Sequence, residues 1–169
     1  MLNYPIPTPI FHFTHADNLV SLLCAGEILC KHEMSAMDTV YTNCAFDSVQ
    51  VQRGNFNVPV SKGGTIHDYV PFYFNSRSPM LYTIKCGNVG NTRMQDLILF
   101  QSSAQKVAAS GNYYAFTDGH GIMDLSDYYD DLADLNKLPW NVINANYWND
   151  FQDGRRLRQS EFLVYKRFK

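Results

Sequence analysis

The last fifteen residues constrain the fold of this chain more than any other stretch. A loop that carries Arg155, Arg156 and Arg158 leads into Glu161. The residues that follow, 162–165, are bulky or β-branched and predict a strand. One carboxylate is therefore expected at a strand edge, beside a basic loop.

This arrangement has a chemical use. A carboxylate fixed on a strand can hydrogen-bond the 2′-hydroxyl of a ribose and stabilise positive charge that grows at its anomeric carbon. Neighbouring arginines can hold phosphates, so the stretch contains the parts that glycosyl transfer from a dinucleotide requires. The alternative is a solvent-exposed cluster around Glu161 at the end of an edge strand, because exposed charges usually take no part in chemistry.

Length and composition narrow the class of protein. The chain has 169 residues, and we expect a single α+β domain over residues 1–169. No run of about 18 apolar residues occurs and residues 1–5 do not resemble a signal peptide, so we expect a cytoplasmic protein without membrane contact. The four cysteines show no metal-binding or disulfide spacing. A net charge of −2 argues against indiscriminate coating of nucleic acid but leaves a local basic groove open.

The N-terminal region predicts a strand over residues 10–14 and a short helix over 16–23 that ends at Gly26. His12 and Thr14 are two residues apart, so their side chains share one face of the strand. They can grip a ribose or a nicotinamide amide, or they form a satisfied polar pair at a sheet edge. No third ligand accompanies the histidines of this strand, so we expect no metal site.

A long connection with weak periodicity follows, over residues 33–64, and it predicts a brief helical turn at 46–51. Long loops in compact domains are often functional. Arg53 lies in this connection, before Gly54, and an arginine on such a permissive turn can meet a pyrophosphate.

Residues 70–74 predict an aromatic strand. Tyr73 and Phe74 can line a slot for a flat ring, although aromatic residues on strands are mostly core. The chain then turns, and residues 81–84 predict a short extended segment.

The second half of the chain predicts strands at 96–100 and 113–117, a helix at 104–109 between them, and an acidic amphipathic helix at 124–138. After the second of these strands, His120 stands in a turn between two glycines. Their backbone freedom can aim the imidazole into a cleft, although a lone loop histidine is usually just solvated.

Four blocks of residues span nearly the whole chain. They are FHFTH followed by NL within residues 11–19, HDYVPFYF with RSPM within 67–80, TDGH at 117–120, and RQSEFLV at 158–164. Together they resemble the DarT family of DNA ADP-ribosyltransferase toxins, which act in DarT–DarG toxin–antitoxin systems. Ser76 and Ser160 depart from the proline and alanine that are common in the family.

The resemblance implies the ADP-ribosyltransferase fold, a split pair of small β-sheets with surrounding short helices and an NAD cleft. It also implies NAD as co-substrate and no metal. At the matching positions, Glu161 is the catalytic glutamate, Arg53 an active-site arginine and His120 a substrate-side histidine.

The same comparison implies an NAD-binding set. His12 and Thr14 match the first NAD-gripping motif, and Asn18 lies in the same element. We place the nicotinamide end near Tyr73 and Phe74.

On the substrate side, residues 148–160 correspond to the family's target-recognition loop, and the implied substrate is a base of single-stranded DNA, thymine or guanine. The side chains expected to contact DNA are Arg77, Met80, Arg155, Arg156 and Arg158. Phosphate contacts by the last three would make the affinity fall as salt rises.

Arginine stays protonated in proteins, so we assign Arg53 to holding charge and His120 to receiving or relaying the proton of the base. Two other classes remain open: a module of the same fold that binds single-stranded DNA without chemistry, and an ADP-ribosyltransferase on RNA or protein, or an NAD glycohydrolase. A macrodomain antitoxin of the DarG type is the expected protein partner.

Overall fold

The computed structural model of the chain describes residues 3–90 and 92–169. Its regular elements are short, and they are, in chain order, β1 (Pro9–His15), α1 (Leu19–Ala25), β2 (Ile28–Leu29), α2 (Lys31–Ala36), α3 (Asp47–Asn55), β3 (Tyr69–Tyr73), α4 (Pro79–Lys85), β4 (Leu97–Ser103), α5 (Ala104–Ala109), β5 (Tyr114–Thr117), β6 (Tyr128–Tyr129), α6 (Trp140–Ile143), α7 (Gly154–Leu157), β7 (Glu161–Tyr165) and β8 (Arg167–Phe168). Short 3₁₀ helices lie at Ala16–Asn18, Ile66–Asp68, Met94–Asp96, Leu132–Lys137 and Trp148–Asp150.

The main sheet is antiparallel and has the strand order β4-β1-β3-β7-β5-β6, while β2 and β8 form a small second sheet. β1 pairs with β4 from Pro9 to His15, but it meets β3 in the single registered pair Phe11 and Tyr73. The main sheet therefore opens between β1 and β3. A main sheet, a small second sheet and surrounding short helices confirm the expected α+β class.

Strand β7 divides its side chains between two hydrophobic clusters. Phe162 and Val164 belong to the larger cluster, whereas Leu163 belongs to the smaller one. Successive side chains of a strand point to opposite faces, so Glu161 lies on the face of Leu163. All four of these residues are buried, which shows that β7 is a central strand and rejects the solvent-exposed edge strand.

Several local predictions from the sequence are confirmed. The strand at 10–14 is the centre of β1, and Gly26 ends α1 with a φ of 67°, a left-handed conformation that glycine adopts without strain. The predicted helix at 104–109 matches α5 in both bounds.

Two stretches are helical where we expected irregular or extended chain. Helix α3 runs to Asn55, well beyond the predicted turn, so Arg53 lies in a helix and not on a loop. Residues 81–84 belong to α4, which begins where the Ser78 hydroxyl accepts the Leu81 N–H at 3.2 Å and Pro79 occupies the first turn. A serine followed by proline is a helix start, and the extended prediction overlooked it.

The predicted acidic helix over 124–138 is wrong. Tyr128 and Tyr129 form β6 against β5, and a 3₁₀ helix follows over Leu132–Lys137. The leucines of this stretch recur at every third position, a spacing that suits a 3₁₀ helix as well as an α-helix.

Within the described residues, no helix is both long and apolar enough to cross a lipid bilayer. The same part of the chain has no group of three or more side chains arranged to hold a metal ion.

Candidate active site

The opening between β1 and β3 leads into an elongated cleft. Its larger part, about 580 Å³, is lined by Tyr73, His120 and residues of α3, α4 and the segment before β7. Its smaller part, about 180 Å³, extends toward α1 and the loop at 39–44. His12 and Arg53 line both parts, so the two form one continuous site.

Arg53, which lines both parts of the cleft, belongs to a buried ion pair with Glu161. The Arg53 guanidinium donates from Nη1 to Glu161 Oε1 at 2.9 Å and from Nη2 to Oε2 at 2.8 Å. Glu161 is 1% exposed and Arg53 is 7% exposed. Helix α3 brings the arginine to the first residue of β7 across 108 positions of sequence. Arg53 therefore binds a carboxylate from a helix, whereas we expected it on a turn where it could meet a pyrophosphate.

The pair also sets the ionisation of both groups. Burial favours the neutral carboxylic acid, but the charge and hydrogen bonds of Arg53 outweigh it and hold the pKa of Glu161 below its usual range. Burial likewise opposes the charge of Arg53, and the Glu161 carboxylate outweighs it, so the arginine pKa is raised. Glu161 is therefore an anion at neutral pH.

The turn after β5 completes the surroundings of the carboxylate. The Gly121 N–H donates to Glu161 Oε1 at 3.3 Å, and the Tyr128 hydroxyl donates to the Gly121 carbonyl at 2.7 Å. A Cβ on Gly121 would lie 3.1 Å from the Tyr128 oxygen and 3.6 Å from Oε1. Gly121 and Tyr128 are site residues that the sequence analysis missed, although the paired glycines of this turn were a visible signal.

His120 lies in the same turn, with Nδ1 3.8 Å from Glu161 Oε1. Burial lowers its pKa, and the nearby carboxylate only partly offsets this effect. The imidazole is therefore mostly neutral at neutral pH and can accept a proton. The structure brings His120, Arg53 and Glu161 together, as the sequence analysis expected.

A stacked pair of aromatic rings begins beside the carboxylate. Tyr73 stands opposite Glu161 in the β3–β7 register, and its ring stacks on Phe13 with centroids 5.8 Å apart and planes 8° apart. Burial raises the pKa of Tyr73, so its hydroxyl stays protonated. Phe13, on the opposite strand face from His12, was not singled out from the sequence.

The prediction that Phe74 lines the slot is wrong. Phe74 is 2% exposed and packs against Phe116, Trp140 and Phe162 in the larger hydrophobic cluster. Neighbouring positions of an extended chain point to opposite sides, so Tyr73 and Phe74 cannot both face the cleft.

His12 lies where β1 and β3 separate. Its Nδ1 is 2.8 Å from the Pro71 carbonyl oxygen, which can only accept, so Nδ1 carries a proton. Burial lowers the pKa of His12, and the neutral ring then has Nε2 as a free acceptor.

Asn18 hydrogen-bonds other parts of the protein, whereas we expected it to contact NAD. Its amide donates to Thr14 Oγ1 at 2.9 Å and to the Thr42 carbonyl at 3.0 Å, and its oxygen accepts the Thr42 N–H at 2.8 Å. Asn18 therefore joins β1 to the loop that forms the outer wall of the smaller part of the cleft. It positions Thr14 and this loop.

The arginines expected to contact DNA separate into two groups. Arg158 is 2% exposed and donates to the carbonyl oxygens of Val142, Ile143, Ala145 and Arg77. Its expected phosphate contact is therefore wrong, because the guanidinium is enclosed by backbone. Nothing in the local sequence distinguishes it from its neighbours.

The remaining members of the set are accessible to different degrees. Arg156 lines the cleft but already binds Asp153 and Ser126. Arg155 is exposed at the cleft mouth and Met80 lines the cleft wall. Arg77 is exposed on the other side of α4.

Known proteins resemble this chain over most of its length. A family model described as "DarT: ssDNA thymidine ADP-ribosyltransferase, DarT" matches residues 11–169. A protein of Thermus sp. (strain 2.9) described as a DNA ADP-ribosyl transferase is 42% identical over 166 residues, 98% of this chain and 78% of that protein.

Solved structures agree with these sequence matches. Thermus sp. 2.9 DarT in complex with ADP-ribosylated ssDNA has a TM-score of 0.92 at 40% identity, covering 98% of this chain and 78% of that one. The same protein in complex with NAD+ has a TM-score of 0.85 at 38% identity over the same shares.

Proposed function

Because this chain belongs to the DarT family of single-stranded DNA ADP-ribosyltransferases, we propose that it transfers ADP-ribose from NAD to a base of single-stranded DNA and releases nicotinamide. The observation that carries this proposal is the buried, ionised Glu161, which is held by Arg53, a residue that lines both parts of the cleft. The complexes of Thermus DarT with NAD+ and with ADP-ribosylated ssDNA support it.

The first step breaks the bond between the ribose anomeric carbon and nicotinamide. The electron pair of that bond leaves with the pyridinium ring, which becomes neutral nicotinamide, while positive charge grows on the ribose. A carboxylate has about four acceptor positions, and Arg53 and Gly121 occupy three of those on Glu161. The remaining one can accept the ribose 2′-hydroxyl, and the anionic charge stabilises the oxocarbenium.

The geometry supports one order of NAD along the cleft. The stacked pair of Tyr73 and Phe13 stands beside Glu161 and offers a flat surface to the nicotinamide ring. His12 and Thr14 line the smaller part, where Nε2 of His12 can accept a hydroxyl proton of a ribose. The rest of the dinucleotide then lies toward the loop that Asn18 holds.

In the second step a ring nitrogen of the base attacks the anomeric carbon and loses its proton. The nitrogen needs a base to remove that proton, and Arg53 stays protonated beside Glu161. We assign proton acceptance or relay to His120, whose pKa is lowered by burial. A single-stranded substrate avoids the few kcal/mol that flipping a base out of a duplex costs.

The target base that we propose is thymine, with guanine as the alternative, because the matching family is described by thymidine modification. Arg77, Met80, Arg155 and Arg156 are proposed to contact the DNA strand. Modified bases block copying of DNA, so we further propose that the protein is a toxin restrained by a macrodomain antitoxin. Growth arrest on expression, relieved by a co-expressed macrodomain but not by one with a disrupted ADP-ribose pocket, tests this role.

The central experiment measures the mass of oligonucleotides after incubation with NAD. Single-stranded DNA of varied sequence is compared with duplex DNA and RNA, and Glu161→Ala serves as the blank. A gain of one ADP-ribose on single-stranded DNA, lost in the blank, is the expected result. Modification of RNA alone would make RNA the substrate in place of DNA. Consumption of NAD with no modified nucleic acid would indicate a protein substrate or hydrolysis of NAD. If NAD is not consumed, a binding module without chemistry is favoured.

A further inference from the structure

A second hollow of about 560 Å³ lies beside the cleft, behind helix α4. The helix presents Pro79, Met80 and Thr83 to the cleft. It presents its opposite face, with Leu81, Tyr82, Lys85 and their neighbour Ser78, to the hollow. We call this hollow the α4 groove; it is also lined by Arg77, Met94 and residues 146–150, and the almost fully buried Arg158 lies beneath it.

Exposed aromatic rings line the α4 groove. Tyr147 is 73% exposed and Tyr82 is 54% exposed. Trp148 is half-buried beside Tyr82, with its ring 5.6 Å from that of Tyr82 and 5.9 Å from the guanidinium of Arg158. Tyr82 therefore packs edge-on against Trp148, while the outer surfaces of Tyr82 and Tyr147 remain open to a ligand.

The charge of the α4 groove is mostly positive. Arg77 and Lys85 are exposed in its lining, and Asp150 is the acidic residue there. The guanidinium of Arg77 is held by the amide oxygen of Asn146 at 3.4 and 3.5 Å, so its charge is placed but not neutralised. Cations beside open aromatic rings are the combination with which proteins bind single-stranded nucleic acid.

The α4 groove and the cleft share two walls. One is α4, and the other is the segment of residues 147–159, which lines the groove with Tyr147 and Trp148 and the cleft with Arg155 and Gln159. A strand that leaves the cleft over either wall therefore enters the groove. This continuity favours the DNA strand over an unrelated partner as the occupant.

We propose that the α4 groove is a stacking platform for the nucleotides of single-stranded DNA that flank the modified base. Bases stack on Tyr147 and Tyr82, and Arg77 and Lys85 hold the phosphates between them. This inference rests on the proposed function, but it adds a binding site away from the reacting atoms. Because α4 separates the groove from Glu161, the platform affects the affinity for long substrates and leaves the bond-breaking steps unchanged.

The test compares a short and a long oligonucleotide, of about 5 and about 15 nucleotides, which lie near the two ends of the range of site sizes of small single-strand-binding folds. Each carries one target base, and the long one is also made with abasic flanks that keep the phosphates but remove the stacking bases. For Tyr147→Ala and Tyr82→Ala we expect the ratio of kcat/KM, long over short, to fall by about 5- to 50-fold. With the unaltered protein, the abasic long substrate should show the same fall in this ratio. With the two tyrosine variants, removing the flanking bases should cause no further fall.

Tyr113→Ala is the matched control, because Tyr113 is 56% exposed and lies outside both hollows. Melting temperatures confirm that the variants fold. Anisotropy of the labelled long oligonucleotide without NAD tests the groove even if no transfer occurs, and Lys85→Glu should weaken that binding most at low salt. The platform would be overturned if both tyrosine variants kept the long-over-short ratio and the DNA affinity of Tyr113→Ala. In that case, modification of the short substrate would still support the proposed function.

Discussion

Arg53 and Arg158 are both buried arginines, yet their surroundings differ. Arg53 faces a carboxylate that is as buried as itself, whereas the partners of Arg158 are backbone carbonyl oxygens. The pKa of Arg53 is raised by Glu161, while burial and the charge of Arg77 lower the pKa of Arg158. A buried arginine with a charged partner controls the ionisation of a reactive group; one surrounded by carbonyls holds chain segments in place.

The largest effect is expected when the carboxylate of the first pair is neutralised. Glu161→Gln keeps the shape but removes the charge that stabilises the oxocarbenium, so we expect kcat for nicotinamide release to fall by about 10³-fold. Glu33→Gln is the control, because Glu33 pairs with Lys166 and Arg167 away from the cleft. Release that stays within about tenfold of the unaltered rate would show that Glu161 has no catalytic charge role.

The next prediction concerns His120, the histidine beside the Arg53–Glu161 ion pair. Its pKa lies below the usual value of about 6.5, so the neutral, proton-accepting form increases as pH rises through that lower pKa and predominates at neutral pH. Transfer to DNA should therefore rise with pH in the acid range and reach a plateau. His120→Gln should lower transfer by about 10²-fold and remove the rise, with nicotinamide release much less affected. An unchanged transfer rate and pH profile would assign the proton to another group.

Arg158 should behave in the opposite way to Glu161. Arg158→Met removes donors to four carbonyl groups, so we expect the free energy of unfolding to drop by about 3 kcal/mol. The kcat of the folded fraction should change little, as urea titration and rates corrected for folding would show. Arg155 lies three residues earlier and is exposed, so Arg155→Met should change the free energy of unfolding by less than about 0.5 kcal/mol and should weaken DNA binding at low salt. If Arg158→Met instead weakened DNA binding and left stability unchanged, Arg158 would be a DNA-contacting residue.

The smallest effect concerns Asn18, a neutral side chain that joins two segments as Arg158 does. Asn18→Ala frees the loop around Thr42 and leaves Thr14 without its donor, so KM for NAD should rise by about tenfold with little change in kcat. Asn88→Ala, at an exposed asparagine, is the control. A loss of kcat with unchanged KM would mean that Asn18 does not act on the cofactor side.

Local pattern was a good guide to the strands and a poor guide to helices that lack an apolar stripe. β1, β3 and β7 were predicted because bulky and β-branched residues favour a pleated, half-buried chain. α3 was predicted only as a brief turn at 46–51, because its sequence, DSVQVQRGN, shows no clear amphipathic period. Its full length is stabilised by tertiary contacts such as the close approach of His67 to Gly54.

The residues of the site were likewise predicted only in part. Glu161, Arg53 and His120 were placed in one site by the resemblance to a family, and the structure brings them together. Phe13, Gly121 and Tyr128 were missed, because their roles arise only from neighbours on other strands.

By itself, the sequence determined the class of fold, the longer strands of the main sheet, the family and the glutamate at the start of β7, since these follow from local periodicity and from residue types at short spacing. Only the tertiary structure decided that Glu161 is paired with an arginine 108 residues away, that Phe74 belongs to the core, and that Arg158 is enclosed while Arg155 is free. The reason is physical: the environment of a side chain depends on which distant segments pack around it, and adjacent arginines of one basic run can have opposite surroundings.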